Sequence, residues 1–132
     1  MGIGEKIDIN KGKLPYKGRG LENSVNIAAC SLEEQRRSGL ERLAAAFRIF
    51  SRRGFDLGVA GHISFRDPEF KDHFWLNPLG YHFKQMKVSD LVMMNFAGEL
   101  VYGDVRAGDA AFCIHSEIYK AKEDVNSIAH AH

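Results

Sequence analysis

Every apolar run between residues 61 and 104 is short and closes on glycine, proline or aspartate: GHISFRD at 61–67, HFWLNP at 73–78 and DLVMMNFAGELVYGD at 90–104. Runs of this length bounded by turn residues read as strands. Ala97-Gly98, between the two apolar halves of the last run, marks a hairpin turn. A sheet built this way has an apolar face that another element must cover, and two segments of helical period are available. In the first, SLEE sets Ser31 three residues ahead of Glu34 as a capping box, and Leu40, Leu43, Phe47 and Phe50 recur at three and four residues until Gly54 stops the helix. Arg37, Glu41, Arg48 and Arg52 fall opposite, as a solvated face. The second helix runs over 109–123 through Ala111, Ile114, Ile118 and Ala121, with Asp109 as its N-cap. VNSIAHAH at 125–132 then returns to strand character, apolar enough to predict a buried position in the sheet. Helix, strands, helix, strand predicts an α+β fold with a largely antiparallel sheet over residues 31–132. Residues 1–30, rich in Gly, Lys and Asn without a sustained period, predict a flexible arm.

Composition removes several function classes. With 132 residues, 45% of them hydrophobic and 27% charged, the chain can bury a core. A net charge of +1 from 18 basic and 17 acidic residues supplies no field for nucleic acid or an anionic membrane, so neither is expected as a partner. No apolar stretch is long enough to predict a membrane span. Cys30 and Cys113, far apart in sequence, are expected as reduced thiols in a cytoplasmic protein.

The chemistry concentrates on histidine. On a strand, Ile128, His130 and His132 share one face, and the two histidine Cα atoms lie roughly 6.5–7 Å apart. That spacing lets both imidazoles reach one ion, with zinc, copper, iron and nickel as suitable metals. A satisfied core pair is the alternative. His62, after Gly61, either lines a cleft or is a hydrogen-bonded structural residue. His115 lies four residues after Ala111 on the same helix face, where packing beside Ile118 is the expected role and support of a metal or acid/base work the other. His82 is placed near the same cleft, and His73 on an exposed turn. Phe74, Trp75 and Phe83 are expected in the core with Tyr119, Met93 and Met94.

Four separated stretches, GFDLGVAGHISFRDPE, FWLNPLGYHF, SDLVMMNFAGELVYGD and AAFCIHSEIYKAKEDVNSIAHAH, resemble in this order the landmarks of the class II aldolase/adducin family. The resemblance covers roughly residues 31–132 and implies a three-layer fold, a mainly antiparallel sheet between helices, usually assembled as a homo-oligomer. In the enzymes it implies zinc on three histidines. His130 and His132 align with two of them, the third is expected beyond residue 132, and the chain is expected to be the N-terminal part of a longer protein. A glutamate moves the proton in those enzymes, and its position here is Ala111, which leaves His115 as the remaining candidate. At the family's phosphate pocket stand Val59, Ala60, His62 and Leu79, which speaks against a phosphorylated substrate. Gly61 and Gly80 keep the pattern and, with His62, are the candidate substrate contacts. The resemblance thus implies a zinc-binding, aldolase-like lyase or related enzyme acting on a small hydroxy-carbonyl compound. AAFCIHSEIYKAKEDV is also similar to the adducin head, whose alternative is a non-catalytic scaffold for self-association and contact with the cytoskeletal proteins actin and spectrin.

Overall fold

The computed structural model describes residues 30–132. The expected arm lies outside the described residues, apart from Cys30. The first helix, α1 (Leu32–Arg52), opens on the capping box read from sequence: the Ser31 hydroxyl accepts from the Glu34 amide, and the Glu34 carboxylate accepts from the Ser31 amide at 2.8 Å. It closes where Gly54 takes a φ of 81°, a left-handed conformation that costs glycine nothing.

Strands β1 (His62–Arg66), β2 (His73–Leu76), β3 (Val92–Asn95), β4 (Leu100–Tyr102) and β5 (Ser127–His130) form one antiparallel sheet in the order β4-β3-β2-β1-β5. Helix α2 (Asp109–Ala121) precedes the last strand. Side chains alternate across the sheet, so each face buries its own set. On one face Ile63, Trp75 and Met93 meet Leu40, Leu43 and Phe47 of α1, together with Phe83, Met86 and Leu91 from the connection between β2 and β3. On the other, Phe74, Leu76, Val92 and Met94 meet Ala107, Ala111 and Tyr119 on and before α2. The result is helix, sheet, helix, as expected. None of the described helices is long and apolar enough to cross a membrane.

Some expectations give way. Gly108, not Asp109, is the N-cap of α2, and Asp109 is its first residue. The buried face of that helix is Ala111, His115, Ser116 and Tyr119, whereas Ile114 and Ile118 are 43% and 36% exposed. Strand β5 is not a buried element: it lies at the sheet edge, pairs only with β1, and is largely exposed. His73 is not on an exposed turn but opens β2 with 3% exposure, its Nδ1 2.8 Å from Asp72. Phe74, Trp75, Phe83, Met93, Met94 and Tyr119 are buried as expected.

A buried ion pair ties α1 to the sheet. Arg36 meets Asp67 through Nε at 2.7 Å and Nη2 at 2.9 Å, and the Trp75 indole N–H donates to the same carboxylate. Arg66 does the corresponding work for α2. Its guanidinium donates to the carbonyls of Tyr119 and Lys122, which the helix end leaves without intrahelical partners, and to Val125 beyond. Arg66 therefore sets how far along β1 the helix sits, and with it the height of His115.

Candidate metal and substrate site

The register of β1 against β5 builds the site. His62 is the direct partner of His130 and Ser64 of Ile128, so His62, Ser64, Ile128 and His130 share the face that α2 covers. The His62 and His130 rings stack at 4.7 Å with 16° between their planes. His132, just past the strand, turns its ring toward His130, with the two Nε2 atoms 3.0 Å apart. This is the convergence expected of an H-x-H pair. The loop before β1 reaches the same place, with the Leu57 amide donating to the His132 carbonyl.

Helix α2 supplies the other half. His115 is fully buried, its Nε2 2.7 Å from His62 Nδ1 and its Nδ1 2.5 Å from the Ser64 hydroxyl. Ser64 in turn lies 2.7 Å from the Tyr119 hydroxyl. Four side chains thus form one hydrogen-bonded line from the core to the histidine pair. Burial, then the nearby His130 and His132, pushes the His62 imidazole down to about 4. Burial, then His62 and His130, pushes His115 down to about 3. Both rings are therefore neutral at physiological pH. Burial also pushes Tyr119 up to about 12, against the opposing influence of Ser64 and Arg66.

Among the candidates read from sequence, His130, His132, His62 and His115 come together. Both nitrogens of His115 are engaged in the line, which gives this buried residue a hydrogen-bonding role beyond packing. Ala111 is buried on the same helix and offers no carboxylate. Gly61 has a packing reason: a Cβ there would fall 2.6 Å from Cζ of the Phe83 ring. Gly80 takes a φ of 84° in the loop after β2, with nothing within 4 Å of where a Cβ would point. His82 caps the short turn Phe83–Gln85 by accepting from the Lys84 amide, and its Nε2 is 3.6 Å from Asp56. Ser64 and Tyr119 were not anticipated as site residues. Their signals were the H-x-S alternation of HIS and the four-residue spacing of His115 and Tyr119.

The donor set suits a borderline metal: two imidazoles, one at the end of the edge strand and one just past it, with their Nε2 atoms 3.0 Å apart. Among the described residues no group of three histidine, cysteine or carboxylate side chains is arranged to hold an ion. The family model described as class II aldolase and adducin N-terminal domain matches residues 41–132. The chain belongs to the class II aldolase and adducin family. Among its relatives, the meiotically up-regulated gene 14 protein of Schizosaccharomyces pombe is 41% identical over 102 residues, covering 76% of this chain and 40% of that protein. Decarboxylase NovR of Streptomyces niveus is 43% identical over 93 residues, covering 69% and 34%. The structure of an L-fuculose 1-phosphate aldolase from Glaciozyma antarctica superposes with a TM-score of 0.74 at 47% identity, over 78% of this chain and 43% of that one. The chain thus spans less than half the length of each of these proteins.

Proposed function

We propose that His130 and His132 are two ligands of a catalytic zinc site in an aldolase-like lyase acting on a small hydroxy-carbonyl compound. The observation that carries this reading is the 3.0 Å approach of their Nε2 atoms at the end of the edge strand. Relatives named as an aldolase and a decarboxylase support the reaction class. Catalytic zinc sites take three protein ligands and an open position, so a third ligand comes from outside the described residues. When bound, the ion supplies Lewis-acid polarisation of a substrate oxygen. The chain's own residues hold the site: β1 fixes β5 by register, and His62 stacks on His130. With Ala111 in the glutamate position the usual proton carrier is absent, and proton transfer contributes on the order of 10²–10⁴-fold in such reactions.

Calorimetric titration with zinc tests the reading. Weak binding by the 132-residue chain, lost in His130→Ala and in His132→Ala, is the expected result, because two imidazoles leave the coordination sphere incomplete. Tight binding that survives both substitutions would place the metal elsewhere.

Ala111 and the exposed Ile114 and Ile118 favour a second reading, an adducin-like scaffold. Co-sedimentation with actin and spectrin addresses it, and absence of the chain from the pellet counts against it.

A further inference from the structure

The line from Tyr119 to His62 has a direction. Tyr119 is fully buried, and among the described residues its hydroxyl has one hydrogen-bond partner, the Ser64 hydroxyl at 2.7 Å. A buried O–H left without an acceptor costs about 1–3 kcal/mol, so the Tyr119 proton goes to Ser64 Oγ. The Ser64 proton then has one remaining acceptor, Nδ1 of His115 at 2.5 Å. With a lone pair on Nδ1, His115 carries its proton on Nε2 and donates to Nδ1 of His62 at 2.7 Å. Accepting there, His62 carries its own proton on Nε2. The opposite direction strands the Tyr119 proton in the core. Among the described residues the one buried side-chain nitrogen or oxygen without a partner is Nε2 of His73. Nε2 of His62, which no described group bonds, is therefore not fully closed off, in a residue that is 5% exposed beside His130 and His132.

We propose that the buried end of this line sets the proton at its open end, so that His62 presents Nε2–H as a fixed hydrogen-bond donor to an oxygen of a carbonyl or carboxylate compound bound next to the histidine pair. The location of that compound rests on the metal reading above; the proton position does not. A protonated Nε2 has no lone pair, so His62 is not itself a metal ligand, and its ring lies parallel to His130 rather than converging with it. A neutral imidazole N–H held in place ahead of the reaction stabilises negative charge as it develops on oxygen, without reorganisation at that moment. The donor selects against ligands that place an N–H or ammonium group at this point.

Long-range nitrogen–proton NMR of the uniformly 15N-labelled, metal-free chain at neutral pH tests this, with the ring signals assigned from single histidine substitutions. The expected result is the Nε2–H tautomer for both His62 and His115. Ser64→Ala removes the hydroxyl that donates to His115 Nδ1, and His62 then becomes a mixture of tautomers. In Tyr119→Phe the Ser64 proton keeps His115 Nδ1 as its acceptor, so the tautomer is retained. An Nδ1–H tautomer in the unsubstituted chain, or an unchanged tautomer in folded Ser64→Ala, overturns the proposal. Adding zinc separates the two readings. Retention of the His62 Nε2 proton while His130 and His132 shift supports both. Loss of that proton makes His62 a ligand and overturns the donor, whereas an unmoved His130 and His132 refutes the metal reading and leaves the donor standing.

Discussion

Asp67 accepts hydrogen bonds from the Arg36 guanidinium, the amides of Glu69 and Phe70 and the Trp75 indole in a position closed to water. Burial alone raises its pKa, but the hydrogen bonds from Arg36, Phe70 and Trp75 outweigh that and hold the carboxyl below its ordinary value of 3.8. Asp67→Ala leaves a buried guanidinium with only Glu69 for a partner and an indole N–H with none, and it is expected to cost about 3–5 kcal/mol in urea unfolding. A loss under 1 kcal/mol would mean that water enters the site easily. The sign of the pH effect follows from the lowered pKa. Asp67's contribution is complete above the unfolded value near 3.8 and is lost as pH falls through the folded one. The urea midpoint is therefore expected to drop as pH falls below about 4, less steeply in Asp67→Asn than in the parent chain. Equal slopes would refute that assignment. The apolar period of α1 passes over Arg36; only the arrival of β1 and β2 beneath it makes it a core residue.

At the scale of elements, α2 shows why an apolar stripe misleads. Ala111, Ile114, Ile118 and Ala121 have the right spacing, yet of these only Ala111 is buried, and the helix buries His115, Ser116 and Tyr119 beside it. Polar groups are tolerated inside when they are satisfied, and β1 supplies His62 and Ser64 as partners that a one-dimensional pattern does not see. Helix α1 carries a sharper conflict. Gly39 sits at mid-helix, where alanine is better by about 1 kcal/mol in propensity. A Cβ there would fall 2.2 Å from Cε1 of the Phe65 ring on β1. Overpacking of this kind costs typically about 1–3 kcal/mol, so Gly39→Ala is expected to lower the thermal midpoint. A raised midpoint would show that the Phe65 ring moves aside freely.

For the whole molecule, β5 and β4 are the two edges of the sheet, and β5 ends on His130 with His132 just beyond it. Its outer side offers unpaired backbone groups, and Ile114 and Ile118 stand exposed on α2. Open edges pair with other chains, and exposed apolar surface adds to the tendency. The 132-residue chain is therefore expected to self-associate, and removal of residues 125–132 to change its assembly. Size-exclusion chromatography with light scattering on both forms checks this. A sharp monomer peak for the 132-residue chain would show that the β5 edge is protected in solution.

Local signals were enough to determine the elements. The Ser31–Glu34 box, the Gly54 stop, the alternation in HISFR and the turn at Ala97-Gly98 each act through neighbours within a few residues, so the chain states them directly. The pairing of His130 with His132 was legible for the same reason, since a strand places alternate residues on one side whatever else surrounds it. Tertiary structure alone decided the partners. The register of β1 against β5 sets His62 on His130, the anchoring of α2 by Arg66 sets His115 on His62 and Tyr119 on Ser64, and the edge position exposes a strand that its composition marks as buried. These contacts join residues more than fifty positions apart, and which side chains meet across such a distance depends on the packed geometry of the whole sheet and helix pair.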